Sequence, residues 1–364
     1  MAPPAHGVFA LVLDIRAEHR WEQVLAVARE VNGTPRPVAR GDGWAAVSVG
    51  DGVRPVPIER LQDLEAVERV VEVTTPYCLV SRAVHGPDGP AGKILVGGRD
   101  PAEALTVVGG AAPVVLLAAM ADLADDDDRM TAAARGLRRA GVAVLLAGEF
   151  SSFGGPGDPA GVTIDRLRRI RAIAADQGLA TCVEVSDASD IDRVRGLTDL
   201  IQAGSRAMQD FSLLRALGKA DRPVLLRRGS GATVEEFLLA AEYVLMGGNG
   251  RVMLCESGIR TFDDGGLPRF EINAIPLLKQ ATHLPVLADP SHTATSRAAL
   301  PAVVRAAVAA GADGVVVSVH TEGVPPGTNS IGLGRLRRLR SEVDIVAQAL
   351  GRHTGSPLTV PTLS

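Results

Sequence analysis

The feature that most constrains the fold is a regular alternation of short apolar runs with longer amphipathic segments from residue 113 onward. Helical patterns lie between the runs, and one begins with a capping box formed by Thr233 and Glu236. Strands are predicted at 114–118, 142–147, 180–185, 199–203, 222–227, 251–255, 284–288 and 314–319. Eight strands, each followed by a helix, over roughly 240 residues indicate an α/β fold of the closed (β/α)8 TIM barrel type. An open doubly wound sheet is the alternative, but no Gly-rich dinucleotide fingerprint follows the first strand.

A small α+β domain is predicted in front of the barrel. Residues 8–75 read as strand, helix, strand, strand, helix, strand, which is the pattern of a ferredoxin-like domain. The stretch from 87 to 110 is rich in Gly, Pro and Ala and predicts a linker with strands that cap the barrel floor. The predicted domains are therefore 1–82 (ferredoxin-like), 83–112 (linker and floor strands), 113–352 (barrel) and 353–364 (flexible tail).

Composition limits the environment and the partners of the chain. Apolar residues make up 46% and aromatic residues 3%, so the core must consist mainly of Ala, Val and Leu. The net charge of −4 argues against a nucleic-acid partner. Because neither a signal peptide nor a membrane-spanning run is seen, we expect no membrane partner and a cytoplasmic location. Cys78, Cys182 and Cys255 form no CxxC pair, which favours reduced thiols.

A basic run lies near the end of the barrel sequence. It comprises Arg335, Arg337, Arg338 and Arg340. A phosphate site and a solvated helix face both fit such a run, and the solvated face is the favoured interpretation.

Polar residues are concentrated where the predicted strands end, at the face of a TIM barrel that carries the active site. They include Arg206 after strand 4, Arg227 and Arg228 at strand 5, Glu256 and Arg260 at strand 6, Asp289 and His292 after strand 7, and Ser318 and His320 at strand 8. Buried arginines need compensating anions, so the pattern predicts a site for a carboxylate or phosphate. The alternative is a ring of arginines neutralised by Glu184, Glu256 and Asp289.

Several motifs in this chain resemble those of a known family. They read Ala-Gly-Ser-Arg-Ala-Met-Gln at 203–209, Leu-Leu-Arg-Arg-Gly at 225–229, Cys-Glu-Ser-Gly-Ile-Arg-Thr-Phe at 255–262, Asp-Pro-Ser-His at 289–292 and Pro-Tyr-Cys-Leu-Val-Ser-Arg at 76–82. The chain resembles the 3-deoxy-D-arabino-heptulosonate 7-phosphate (DAHP) synthases, in the type I subgroup with an N-terminal ferredoxin-like domain. The resemblance covers nearly the whole chain.

The resemblance implies the chemistry of that family. Its members condense phosphoenolpyruvate with erythrose 4-phosphate and need a divalent metal. It implies that Arg206 and Arg260 hold the phosphoenolpyruvate phosphate, and that Arg227 stands where the family has a lysine that contacts the pyruvyl end. The family also assembles as dimers or tetramers, so a homo-oligomer is expected.

The family's metal ligands are mostly replaced in this chain. Met120 stands at the cysteine position and Ser318 at the glutamate position, and no acid occurs in 325–330, where the family has an aspartate. His292 alone is kept, and a lone histidine does not hold a divalent ion. We therefore expect no metal and no other cofactor. A metal acting as a Lewis acid supplies several kcal/mol, and losing about 4 kcal/mol slows a step roughly a thousandfold.

The loop after the second barrel strand also departs from the family. The family has an Arg-Gly-Gly and a Lys-Pro-Arg-Thr segment that grip both substrates, whereas this chain has Ala147 at the arginine position. Glu149 adds negative charge there, and the glycines of 148–157 leave space for a different substrate. Erythrose 4-phosphate would lose its main anchors.

These observations predict a repurposed, metal-independent biosynthetic enzyme that acts on a small anionic metabolite. The expected proton carriers are His292, Glu256 and His320, with His292 as the main one. The expected substrate or anion contacts are Arg206, Arg227, Arg228, Arg260, Ser318 and Glu149. A non-catalytic regulator that binds a metabolite or a partner and an atypical but genuine DAHP synthase remain as alternatives.

Overall fold

The structure is a computed structural model, and it describes most of the chain. The described residues are 5–6, 8–14, 20–32, 36–41, 44–49, 55–56, 58–85, 92–100, 102–120, 126–150, 161–261, 268–291, 293, 297–321 and 329–352. The predicted tail at 353–364 lies outside them.

The first part of the chain is a small α+β region, in which two additional two-residue strands accompany the predicted strands and helices. Its elements are β1 (Ala5–His6), β2 (Val8–Asp14), α1 (Trp21–Asn32), β3 (Arg36–Gly41), β4 (Trp44–Val49), β5 (Pro55–Val56), α2 (Ile58–Gln62) and β6 (Val67–Val73). Four strands form an antiparallel sheet in the order β3-β4-β2-β6. Leu11 from the sheet packs with Val24, Ala28 and Leu61 from the two helices, so the sheet and the helices share one core.

A short helix and a hairpin connect this region to the barrel. They are α3 (Arg82–His85), β7 (Lys93–Val96) and β8 (Thr106–Gly109), and β7 pairs antiparallel with β8. Val96 and Val108 pack against the apolar side chains inside the barrel. The Gly92 N–H donates to the His283 carbonyl at 2.6 Å, three residues before a barrel strand begins. The hairpin therefore lies at the amino-terminal end of the barrel strands, opposite the mouth.

Eight parallel strands close into a barrel, which confirms the predicted fold. They are β9 (Val115–Met120), β10 (Val142–Glu149), β11 (Ala180–Val185), β12 (Leu200–Ala203), β13 (Val224–Arg227), β14 (Val252–Glu256), β15 (Val286–Ala288) and β16 (Gly314–His320). Each strand pairs with its neighbours in sequence, and β16 pairs with β9 to complete the ring. Every predicted strand position holds an observed strand.

Helices cover the outside of this barrel. They are α4 (Asp127–Arg139), α5 (Ile164–Asp176), α6 (Ile191–Val194), α7 (Phe211–Lys219), α8 (Val234–Met246), α9 (Ala274–Ala281), α10 (Leu300–Ala309) and, after the short strand β17 (Ile331–Gly332), α11 (Leu333–Ala349). The predicted capping box at the start of α8 is present, with the Glu236 N–H donating to Thr233 Oγ1 at 3.1 Å. None of the helices described is long and apolar enough to cross a membrane.

Alternation along the strands decides which side chains enter the barrel. Leu117, Cys182, Leu225, Leu287 and Val316 pack together inside it. Their neighbours in sequence pack outward against the helices, among them Leu116, Val183, Leu226 and Val317, and so does Leu254, which lies between the interior residues Met253 and Cys255. Because side chains on a strand alternate with period two, the residues two positions beyond each interior residue also face inward, at the mouth.

Candidate active site at the barrel mouth

A polar layer closes the apolar interior at the carboxyl end of the strands. It contains Glu184, Gln202, Arg227 and Asp289, each two residues beyond an interior apolar side chain on its own strand. Arg227 Nη2 donates to Asp289 Oδ2 at 2.5 Å, and both side chains are buried. Gln202 Nε2 donates to Glu184 Oε2. The layer therefore consists of one ion pair and one amide–carboxylate pair.

Two polar atoms of this layer have no partner among the described residues. They are Arg227 Nε and Gln202 Oε1, on side chains that are 8% and 3% exposed. A buried donor or acceptor without a partner costs about 1–3 kcal/mol. One is a donor and the other an acceptor, on neighbouring strands, and both are closed off from solvent within the described part of the chain.

Burial controls the protonation of this layer. It raises the pKa of Glu184, while the Arg227 charge and the Gln202 hydrogen bond lower that pKa by less. Burial also lowers the pKa of Arg227, but Asp289, Cys255 and Glu184 outweigh it, so the net pKa is raised and the guanidinium stays charged. In Cys182 and Cys255, directly below, burial raises the pKa and keeps the sulfurs as thiols. Glu184 is thus the group of the layer best suited to carry a proton.

Hydroxyl groups join the loops that follow β12, β13 and β14. Ser205 Oγ and Ser257 Oγ lie 3.1 Å apart, and Ser257 Oγ donates to the Arg228 carbonyl at 3.1 Å. The Arg260 N–H donates to the Ser230 carbonyl at 2.7 Å. These bonds hold the three loops that carry the predicted arginines beside one another.

Two of the predicted arginines are exposed. The Arg206 side chain is 88% exposed and lies 3.4 Å from Glu149, which accepts a second hydrogen bond from Ser186 Oγ at 2.5 Å. Arg260 is exposed as well. The structure places Arg206 and Glu149 in contact, whereas the sequence analysis considered them separately.

Arg228 and Glu256 form a buried pair with each other. Glu256 follows Leu254 by two residues and so shares the outward parity of β14; it accepts from Arg228 Nη1 at 2.8 Å and from the Gly258 N–H at 2.7 Å. Arg228 Nε also donates to the Ala232 carbonyl. Burial raises the pKa of Glu256, and the Arg228 hydrogen bond lowers it by less. The pair links the ends of β13 and β14, and the predicted roles of Glu256 in proton transfer and of Arg228 in anion binding stay predictions.

The last strand brings two predicted residues to the inner face. Ser318 and His320 follow the interior residue Val316 at positions two and four. His320 Nδ1 lies 2.8 Å from Ser330 Oγ, which orients the ring, and the Ser318 N–H donates to Ser291 Oγ at 2.9 Å. His292, the predicted main proton carrier, lies outside the described residues.

Gln202 was missed from the sequence, and Glu184 was considered only as a counter-ion. The available signal was alternation, because Leu200 and Cys182 are interior residues two positions earlier on the same strands. Position after a strand, without strand parity, indicates Arg228 and Glu256 as site residues but not Gln202.

Of the positions where the resemblance places metal ligands, the structure describes the two on β9 and β16, and the residues there are poor donors for a divalent ion. The structure describes Met120 at the end of β9 and Ser318 on β16, on strands that pair with each other. A thioether and a hydroxyl are poor substitutes for a thiolate and a carboxylate. Within the described ranges, no group of three or more His, Cys, Asp and Glu side chains is placed to hold a metal ion.

A closed (β/α)8 barrel with a charged layer at the carboxyl ends of its strands is the architecture of a barrel enzyme. Comparison with known proteins identifies the family. The model of the DAHP synthetase I family matches residues 102–335, and the chain belongs to this family.

Known relatives agree with that assignment. The chain is 33% identical over 319 residues to a phospho-2-dehydro-3-deoxyheptonate aldolase of Thermotoga maritima, over 86% of this chain and 90% of that protein. It is 25% identical over 273 residues to a 2-dehydro-3-deoxyphosphooctonate aldolase of Desulfosudis oleivorans, over 68% and 95%. The crystal structure of the Thermotoga maritima DAHP synthase superposes with a TM-score of 0.69 at 30% identity and covers 96% of this chain and 99% of that one.

Proposed function

We propose that this protein is a biosynthetic enzyme that binds a small carboxylate- or phosphate-bearing acid at the barrel mouth and acts on it without the family's divalent metal. The observation that carries the proposal is the buried Arg227, which keeps its charge and whose Nε has no partner among the described residues. Gln202 on the neighbouring strand has a buried oxygen that likewise has no partner there. Arg206 and Arg260, on the adjoining loops, would receive the outer charges of the ligand.

Proton transfer in this proposal depends on the inner face of the mouth. His320 has its ring oriented by Ser330, and burial raises the pKa of Glu184. His292 keeps its proposed role as the main proton carrier on the strength of its position after β15. We derive no step through a metal, because the residues at the described metal positions lack the needed donors.

Phosphoenolpyruvate is the probe for the binding part of the proposal. Calorimetric titration is expected to show binding to the wild type, and a loss of at least about tenfold in affinity for Arg227→Met combined with Asp289→Asn. The double variant removes both charges of the buried pair, so it avoids leaving Asp289 unpaired and unfolding the barrel. Arg215→Ala, at an exposed arginine on α7, is the matched control and should bind as the wild type does. Equal affinity in all three proteins would refute the assignment.

A second candidate is an atypical but genuine DAHP synthase. The 33% identity to the Thermotoga maritima aldolase over most of both chains favours it. The two candidates differ in whether phosphoenolpyruvate is consumed together with erythrose 4-phosphate, which a direct assay of turnover decides.

A further inference from the structure

The four arginines of α11 do not form one surface. Arg340 Nη1 donates to the Val114 carbonyl at 2.8 Å, and Arg340 Nε donates to Asp344 at 3.0 Å, so Arg340 braces the barrel wall. Arg337 is exposed and does not line the groove between α10 and α11. Arg335 and Arg338 line a groove between α10 and α11. We call this the α10–α11 groove.

Small residues make room for this groove. The groove has a volume of about 470 Å³. The residues that line it are Ala298, Pro301, Ala302, Arg305, Gly334, Arg335, Arg338, Leu339 and Glu342. Alanine and glycine leave the space open, and the arginine side chains border it. A volume in the range of roughly 300–1,000 Å³ is typical of sites for small molecules.

The charge of the groove is unbalanced. Three arginines line it with one glutamate, and that glutamate, Glu342, pairs with Arg305. Arg335 and Arg338 make no ion pair within the described part of the chain. The amino ends of both helices add positive potential, since α10 and α11 begin at Leu300 and Leu333 without a side-chain cap. The groove therefore attracts anions.

We propose that the α10–α11 groove is a binding site for a small polyanion, a phosphorylated or polycarboxylic acid, separate from the barrel mouth. Two guanidiniums that have no ion pair in the described part of the chain, in a groove that Arg305 also lines, can hold two acidic groups of one ligand. The groove lies on the outer helices, whereas the mouth is built from the inner faces of the strands. This site is not the proposed substrate site, and each can be tested without the other.

Inorganic pyrophosphate is the probe, titrated by calorimetry at fixed ionic strength. We expect the wild type to bind it, and Arg335→Ala combined with Arg338→Ala to lose at least about tenfold in affinity. Arg337→Ala removes the same charge from the same helix outside the groove and should stay within about twofold of the wild type. The mouth variant Arg227→Met with Asp289→Asn should keep the groove affinity.

Three results would overturn the proposal. The first is equal affinity of the groove variant and Arg337→Ala. The second is a loss of pyrophosphate binding in the mouth variant alone. The third is a change of oligomeric state in the groove variant by analytical ultracentrifugation, which would show that a second copy of the chain occupies the groove.

Discussion

Glu242 is expected to hold the segment between the small region and the barrel in place. Its carboxylate accepts three consecutive backbone hydrogen bonds, from the N–H groups of Cys78 at 2.9 Å, Leu79 at 2.8 Å and Val80 at 2.9 Å. Leu79 and Val80 are fully buried. Glu242 lies on α8, so the three bonds connect residues that are more than 160 positions apart in the chain.

The effect of Glu242→Ala follows from these bonds. The substitution leaves the buried N–H groups of Leu79 and Val80 without an acceptor, at about 1–3 kcal/mol each, while Cys78 is only half-buried and can reach water. Burial raises the pKa of Glu242 despite the three donors, so the desolvation of the carboxylate offsets part of its contribution. We expect a net loss of about 2–5 kcal/mol in the free energy of unfolding.

Thermal unfolding followed by circular dichroism measures this loss. At about 2–4 °C per kcal/mol for a domain of this size, the melting temperature should fall by roughly 4–20 °C. Amide hydrogen exchange should accelerate at Leu79 and Val80. Glu235→Ala, at an exposed glutamate on the first turn of the same helix, is the control and should cost less than about 1 kcal/mol. A Glu242→Ala protein that melts within about 2 °C of this control would refute the reasoning.

Three further predictions concern the barrel. Because the pKa of Glu184 is raised in the folded protein, its contribution to stability is greatest below the ordinary glutamate pKa and is lost as pH rises through the raised pKa. Urea unfolding between those two pH values should therefore show a flatter pH dependence of the unfolding free energy in Glu184→Gln than in the wild type. Gly218→Ala should destabilise by about 1–3 kcal/mol, although alanine favours helix, because its Cβ would lie 2.8 Å from the Cα of Gly247, the residue that caps the end of α8. Gly334→Ala, which meets nothing within 4 Å, is the thermal-melting control. Thr233→Ala removes the capping box of α8 and should lower the unfolding free energy by about 1 kcal/mol in the same assay, with Ser at this position restoring most of it.

The barrel was predictable because its strands and helices have distinct periods. Short Val- and Leu-rich runs such as 142–147 and 314–319 carry enough burial to specify strands without tertiary information. The capping box at Thr233 is a local interaction between residues three apart, so the sequence alone contains it.

The polar layer was harder to predict because it depends on pairings across strands. The contact of Arg227 with Asp289 joins residues 62 positions apart, and that of Gln202 with Glu184 requires knowledge of strand parity. The same limit applies to Glu242, because its hydrogen bonds join α8 to a segment that is distant from it in the sequence. Parity also separates Glu256 from the interior residue Cys255 that precedes it, and Glu256 pairs with Arg228 instead.

The most direct test of the proposed function is the disappearance of phosphoenolpyruvate in the presence of erythrose 4-phosphate, with and without added Mn²⁺, beside the Thermotoga maritima enzyme as a positive control. We expect this protein to bind phosphoenolpyruvate and to consume it at least about a thousandfold more slowly than the control, with no stimulation by Mn²⁺. Consumption at the rate of the control, dependent on Mn²⁺ and abolished by a chelator, would contradict it and establish the protein as a genuine DAHP synthase.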